Sequence, residues 1–240
     1  MKEQKLQDHL RNALEAPLQR KSFIKYTAIS GAAMFIGLDA CKKSNNNSNP
    51  SSAIIDVGSG DTGILNFAYA LEQLEAAFYT QVNASFYTGI STDEQAILTD
   101  IMYHEVIHRN FLKAALGTAA IGTLQFNFSA VDFTSRTSVL GTAKALEDTG
   151  VSAYNGAGAY ISSATYLTLA GKIVSVEARH ASAIRDLLNP KSADFAGDDV
   201  VNPTSGLDFS RTPNSTTGGP SIVATANTFL TTKISATKLP

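Results

Sequence analysis

Residues 70–79 read ALEQLEAAFY, and residues 145–154 read ALEDTGVSAY. Both segments begin with Ala-Leu-Glu and carry a tyrosine seven residues after the glutamate. Seven residues of an α-helix return the chain to nearly the same face, so each glutamate lies on the same side of its helix as its tyrosine. The two segments therefore predict an internal repeat of two helical units.

Each copy of this segment is followed by a Glu-x-x-His motif, Glu105 to His108 in the first half and Glu177 to His180 in the second. The motif glutamate follows the glutamate of its own segment by 33 residues in the first half and by 30 in the second. A helix hairpin with one ligand halfway along each helix needs roughly 30 residues between those ligands, at about 1.5 Å per residue. The spacing therefore predicts two αα-hairpins of similar size.

Apolar residues at three- and four-residue spacing predict helices over 65–82, 92–116, 135–162 and 163–188. The segment 118–133 between the second and third helices is expected to be extended. Sixteen extended residues reach about 50 Å at most, which is enough to run the length of a bundle. The predicted fold class is therefore all-α, a four-helix bundle with one long crossover.

The two repeats together offer four carboxylates and two imidazoles. E-x-x-H places its carboxylate and imidazole on one helical face, and this donor set is typical of a carboxylate-bridged dimetal site in a bundle. Imidazoles favour transition metals over Mg or Ca, and four buried acids without a cation would be costly to desolvate. We therefore expect two Fe or Mn ions. The candidate metal ligands are Glu72, Glu105, His108, Glu147, Glu177 and His180.

Three other residues near these motifs are weaker candidates. Glu75 lies one turn after Glu72 and is the alternative ligand if the register differs, although a carboxylate at the helix edge is the simpler interpretation. His104 precedes Glu105 by about 100° around the helix and is expected behind the ligands or at the surface. Arg179 is expected at the surface or the bundle edge. Each histidine taken alone is compatible with an ordinary core or surface residue.

Residues 62–189 resemble the ferritin-like domain superfamily, and LNFAYALEQLEAAFY at 65–79 resembles the opening of its exported members of the desiccation-related and stress-response type. The resemblance implies that the glutamates of the two E-x-x-H motifs bridge the metals and that the lone helix glutamates, Glu72 and Glu147, are terminal ligands. It also implies positions for Tyr79 and Tyr154 just behind the ligands. Core packing is the alternative interpretation of both tyrosines.

Residues 1–41 are predicted to be an export signal. The basic segment RKSFIK at 20–25 resembles a twin-arginine export motif with lysine as its second basic residue, and 13 mostly apolar residues follow at 26–38. That run is shorter than the roughly 20 residues that span a bilayer. Leu38-Asp39-Ala40 before Cys41 resembles a bacterial lipobox, with Asp as a departure from its pattern. The alternative for Cys41 is a small buried residue.

The remaining chain divides by composition. Residues 42–61 are rich in Asn and Ser and are predicted to form a flexible linker, with Asp61 or Thr62 capping the first helix. Residues 62–189 are the predicted bundle, and 190–240 are an irregular C-terminal extension expected to pack on it as loops with short strands.

Composition also excludes several functions. The 240 residues carry a net charge of −2, which argues against a nucleic-acid binder, and a single cysteine excludes both a disulfide framework and a thiolate zinc cluster. The leading hypothesis is an exported protein of the bacterial cell envelope, lipid-anchored in the periplasm or on the surface, with ferroxidase or peroxide- or dioxygen-reducing chemistry. The alternative is a non-catalytic, stress-associated binding or structural protein. The partners considered are dioxygen or peroxide, the membrane through the lipid anchor, and a second copy in a homodimer.

Overall fold

The computed structural model describes residues 54–197, 201–202, 207–208, 211–216 and 220–240. The predicted export signal, Cys41 and residues 42–53 of the predicted linker lie outside the described residues. Within the part of the chain that is described, no helix is both long enough and apolar enough to cross a bilayer.

Four long helices carry most of the described chain: α1 Gly60–Ala84, α2 Thr92–Leu116, α3 Arg136–Gly158 and α4 Ala164–Leu188. α1 packs along α2 and α3 along α4, and contacts of α1 with α3 and of α2 with α4 join the two hairpins. The predicted all-α four-helix bundle is therefore confirmed. A short 3-10 helix, Gly117–Ala119, follows α2, and the crossover that leads to α3 is otherwise non-helical.

Serine side chains cap the N-termini of three of the four helices. Ser91, Ser135 and Ser163 accept hydrogen bonds from the backbone N–H three residues ahead, which satisfies donors that the helix itself leaves free. The second helix has the predicted bounds because Gly117, at φ 55°, leaves the helical region there.

The start of α1 differs from the prediction. The helix begins at Gly60, with Ser59 as its N-cap residue, and Asp61 does not cap it. The Asp61 carboxylate instead accepts backbone N–H bonds of 2.8 Å from both Ser162 and Ser163, in the turn between α3 and α4. This interaction holds that turn against the start of α1, and the third helix ends at Gly158 rather than at residue 162.

Polar side chains of α1 hold the crossover against the bundle. Asn66 accepts a bond from the backbone of Ile121, and Gln73 accepts one from the backbone of Leu124, both 2.9 Å. Further along the crossover, Phe128 packs against Phe78 with ring centroids 5.9 Å apart. The crossover thus closes one side of the core.

The C-terminal extension returns to the beginning of the folded chain. Strand β1, Ile55–Asp56, pairs in parallel with β4, Ile234–Ser235, while β2, Val201–Asn202, pairs antiparallel with β3, Leu207–Asp208. Residues 55–57 were predicted as linker, but Val57 is buried in the core beside this pairing. The pairing supplies hydrogen bonds to a segment whose local composition gives no sign of structure.

The extension also contains structure that its sequence did not predict. It forms the 3-10 helix Ala193–Ala196 and a helix α5, Ile222–Phe229, whose Ile222 is buried in the bundle core. Where it crosses α3, the backbone N–H of Arg211 donates to the carbonyl of Ser152. A Cβ at Gly156 would lie 2.1 Å from the Arg211 carbonyl oxygen, so only glycine permits this approach.

Candidate metal centre

The six predicted ligands lie at the same height in the bundle. Glu72 and Glu147 are the central residues of α1 and α3, and the two E-x-x-H motifs begin one residue after the middle of α2 and α4. All six side chains point inward, because the four carboxylates are 0% exposed and the two imidazole residues are 8% and 4% exposed. The structure therefore brings together all six residues that the repeat singled out.

These side chains form two groups whose ligand atoms lie within 4.8 Å of one another. The first group contains Glu72, Glu105, His108 and Glu177, and the second contains Glu105, Glu147, Glu177 and His180. Glu105 and Glu177 belong to both groups. Two adjacent four-donor groups that share two carboxylates have the arrangement that two bridged cations require.

Contacts across the two hairpins are short. His108 Nδ1 lies 2.8 Å from Glu177 Oε1, and His180 Nδ1 lies 2.7 Å from Glu105 Oε1. Each E-x-x-H imidazole thus faces the motif glutamate of the other hairpin. The nitrogen that faces the cluster is Nδ1 in both histidines.

The chemistry of the donor set fits a metal. Eight buried ligand atoms at the centre of the cluster have no hydrogen-bond partner, since their close contacts are not aligned as hydrogen bonds. They are Glu72 Oε2, both carboxylate oxygens of Glu105 and of Glu177, Glu147 Oε2, His108 Nδ1 and His180 Nδ1. Buried polar atoms are normally satisfied, so eight unpartnered atoms converging on one point indicate a cation site.

Burial raises the pKa of three of the carboxyl groups. Desolvation, followed by repulsion from Glu105, raises the pKa of Glu72 to about 8. Desolvation is also the largest cause of the raised pKa of Glu147 and of the pKa of Glu177, which lies well above its ordinary value. Burial therefore favours the protonated form of these acids, and bound cations would replace those protons.

The pKa of the fourth carboxyl group, that of Glu105, is shifted in the opposite direction. Burial opposes the charge of Glu105, but contacts with His108 and His180 outweigh it and lower the pKa of Glu105 to about 2. The same contacts raise the pKa of both histidines, although burial alone would lower it. Glu105 is therefore the carboxylate that stays ionised at the centre of the site.

The tyrosine of each repeat forms a hydrogen bond with a ligand of the other hairpin. The Tyr79 hydroxyl of α1 donates to Glu147 Oε1 of α3, and the Tyr154 hydroxyl of α3 donates to Glu72 Oε1 of α1, both at 2.5 Å. Each bond fixes the carboxylate oxygen that does not face the cluster. The structure therefore places both tyrosines behind the ligands and in the core at once, combining the two alternatives from the sequence.

The helix-edge interpretation of Glu75 is wrong, because this side chain is buried. It is a fifth buried carboxylate that lies beside the site but in neither four-donor group. Its counterpart in the second repeat is Gly150, and a Cβ there would lie 3.1 Å from both Glu75 Oε1 and Glu177 Oε2. Burial, with repulsion from Glu177, raises the pKa of Glu75 well above its ordinary value and favours its neutral form. The missing side chain at Gly150 makes room for this group, a relation visible in the aligned repeats but absent from the sequence prediction.

His104 and Arg179 are both exposed, as the sequence allowed. The Nδ1 atom of His104 lies 2.8 Å from Nε2 of His180, and the two rings stack at 5.1 Å. If Nδ1 of His180 binds a metal, its Nε2 carries the proton, and His104 accepts that hydrogen bond. The matching position before Glu177 is Val176, so within the described part of the chain His108 has no histidine partner of this kind.

A family model described as a ferritin-like domain matches residues 60–190. This range contains all four bundle helices and all six predicted ligands. No curated protein matches the chain. The narrower relation to desiccation-related and stress-response members stays a prediction.

Proposed function

This chain belongs to the ferritin-like domain family, and from that membership we propose that its buried cluster holds two Fe or Mn ions that exchange electrons with dioxygen or peroxide. The observation that carries the proposal is the pair of four-donor groups that share Glu105 and Glu177. Four carboxylates carry four negative charges, which two divalent cations neutralise. The neutral imidazoles then add one nitrogen donor to each ion.

The roles of the residues follow from their positions. Glu105 and Glu177 would bridge the ions, while Glu72 and Glu147 would each bind one ion and be held in place by a tyrosine hydroxyl. Two such ions supply two electrons, enough to reduce dioxygen to hydrogen peroxide or hydrogen peroxide to two water molecules with the protons that each reduction consumes. The packed helices exclude bulk water from the ligands, which strengthens their electrostatic interactions.

Metal analysis tests the centre directly. The full chain would be reconstituted with Fe(II) or Mn(II) without oxygen and measured by plasma mass spectrometry, beside a Glu105→Gln/Glu177→Gln variant. We expect about two metals per chain in the wild type and loss of both in the variant, because each shared carboxylate serves both ions. Glu75→Gln is the matched control, a buried carboxylate outside both groups that should retain two metals. A wild-type chain that binds no metal contradicts the proposal.

A second experiment tests the redox part. Fe(II)-loaded protein would be mixed with dioxygen or with hydrogen peroxide, and Fe(III) formation followed by absorbance against the same concentration of free Fe(II). We expect faster oxidation in the loaded protein with at least one of the two oxidants. Oxidation no faster than that of free Fe(II) would leave a metal-binding protein without turnover, the non-catalytic alternative.

We also propose that the chain is exported and anchored by a lipid on Cys41. The lipobox-like segment and the short apolar run before it support this proposal. Cys41→Ser should move the protein from the membrane fraction to the soluble fraction and abolish labelling with a radioactive fatty acid. Ser44→Ala, three residues further on, should change neither result.

A further inference from the structure

An apolar cavity lies one helical turn from the metal ligands, at the end of the bundle where α1 and α4 begin. Ala68, Leu112 and Ile173 line it, and each lies four residues from a predicted ligand on its own helix. Four residues of helix correspond to about 6 Å along the axis. The inner volume of the cavity is about 30 Å³.

Tyr154 forms the wall between this cavity and the metal centre. Its ring lines the cavity, and its hydroxyl donates to Glu72. A smaller cavity of about 10 Å³, lined by Ala68 and Ala157 among others, also touches the ring of Tyr154. The tyrosine is therefore bordered by hollow space within reach of a ligand carboxylate.

The equivalent position in the first repeat is packed instead. Tyr79 meets Phe78 edge to face at 5.2 Å, and Phe78 in turn packs against Phe128 and Phe133 at 5.9 Å each. Phe128 and Phe133 come from the crossover, and none of the described residues that line the cavity beside Tyr154 comes from it. The repeated sequence therefore has filled space beside one tyrosine and open space beside the other.

The cavity wall decides what can occupy this space. The lining residues are apolar apart from the hydroxyls of Tyr154 and Tyr166, and the Tyr154 hydroxyl is already bonded to Glu72. An ordered water needs two to four polar partners, and apolar cavities stay dry and bind apolar guests such as xenon. A volume of about 30 Å³ holds roughly two water-sized particles, which is the size of a diatomic molecule. Hydrogen peroxide would lose its hydrogen bonds on entry.

We propose that this cavity binds dioxygen and admits it to the metal pair beside Tyr154. This inference rests on the proposed function and makes dioxygen, rather than peroxide, the oxidant that this path supplies. Ala115, an exposed residue of α2, lines the outer part of the cavity and marks the side from which a gas molecule enters.

Xenon tests the cavity without any activity measurement. Amide NMR shifts of the full chain would be recorded under xenon, with helium at the same pressure as reference. We expect shifts centred on the lining residues in the wild type and their loss in Ala170→Leu, which fills the cavity from α4. The matched control is Ala114→Leu, the same change at an exposed α2 position outside the lining, which should keep them.

The same variants, loaded with Fe(II), would then be mixed with each oxidant. Ala170→Leu should slow oxidation by dioxygen and leave oxidation by peroxide unchanged. Absence of xenon from the wild-type cavity, or unchanged oxidation by dioxygen in a variant that has lost xenon, overturns the inference. Metal content separates the two proposals. A wild-type chain that binds no metal overturns both the metal centre and the delivery of dioxygen to it. A wild-type chain that binds metal but no xenon overturns only the proposal that the cavity binds dioxygen.

Discussion

Replacing Gly156 with alanine tests how tightly the C-terminal extension packs on the bundle. The new Cβ would lie 2.1 Å from the carbonyl oxygen of Arg211 and 2.3 Å from its carbonyl carbon. Both atoms belong to backbone, so no side chain can rotate away and the extension must move. That movement also breaks the 3.2 Å bond from Arg211 N–H to the Ser152 carbonyl.

The magnitude follows from three contributions. Overpacking a well-filled site costs about 1–3 kcal/mol, and a lost hydrogen bond costs about 1 kcal/mol. Alanine in place of glycine inside a helix stabilises the folded state by about 0.5–1 kcal/mol, which offsets part of these costs. We therefore expect Gly156→Ala to lower the free energy of unfolding by about 1–3.5 kcal/mol.

Urea unfolding of the full chain, followed by circular dichroism, measures this change. Gly141→Ala is the matched control, because Gly141 lies in the same helix, is exposed and has no atom within 4 Å of the added Cβ. The free energy of unfolding of this control should rise by about 0.5–1 kcal/mol, because alanine favours the helix more than glycine does. If Gly156→Ala proved as stable as the wild type or more stable, the packing of the extension against α3 would be wrong.

Three further outcomes concern the site. Tyr154→Phe removes the hydroxyl that holds Glu72 and should weaken metal binding about 10–100-fold in competition with a chelator; an unchanged affinity would contradict the role of that hydrogen bond. His104→Ala should lower the affinity for one metal ion more than for the other, because His104 contacts His180 and not His108. A Co(II) titration of the variant should therefore show two separated binding steps. Folding raises the pKa of Glu72 from 4.5 to about 8, so the stability from its neutral form is complete below pH 4.5 and is lost as the pH rises to 8. Metal-free protein should therefore melt at a lower temperature at pH 8 than at pH 5, and a higher melting temperature at pH 8 would refute this reasoning.

The bundle could be predicted because its signals are local. The apolar spacing of residues 92–116 predicted the bounds of α2, and the spacing of Glu and His placed six donors at one height. Each of these features depends on residues within one helix or one hairpin. The pairing of Ile55 with Ile234 joins positions far apart in the sequence, and two-residue strands leave no periodic pattern to detect.

The features of the site that escaped prediction lie where the repeats differ. Comparing the halves by shared residues pairs Glu72 with Glu147 but gives no sign that Glu75, whose counterpart is a glycine, is buried. The cavity depends on side chains from all four helices, and the filled region opposite depends on crossover residues such as Phe128. Such differences are decided by tertiary packing, which the repeat alone does not specify.

The space that Gly150 leaves for Glu75 bears on why the two hairpins share one chain. Each hairpin brings three donors and one tyrosine, so two identical hairpins related by twofold symmetry would supply the same centre. Exact symmetry would also require the same residue, glutamate or glycine, at positions 75 and 150. Two glutamates would crowd each other, because even a Cβ at position 150 would lie 3.1 Å from the Glu75 carboxylate. Fusion through the crossover removes that constraint, so one metal position can acquire a neighbouring acid, a partner imidazole or an open approach that the other lacks.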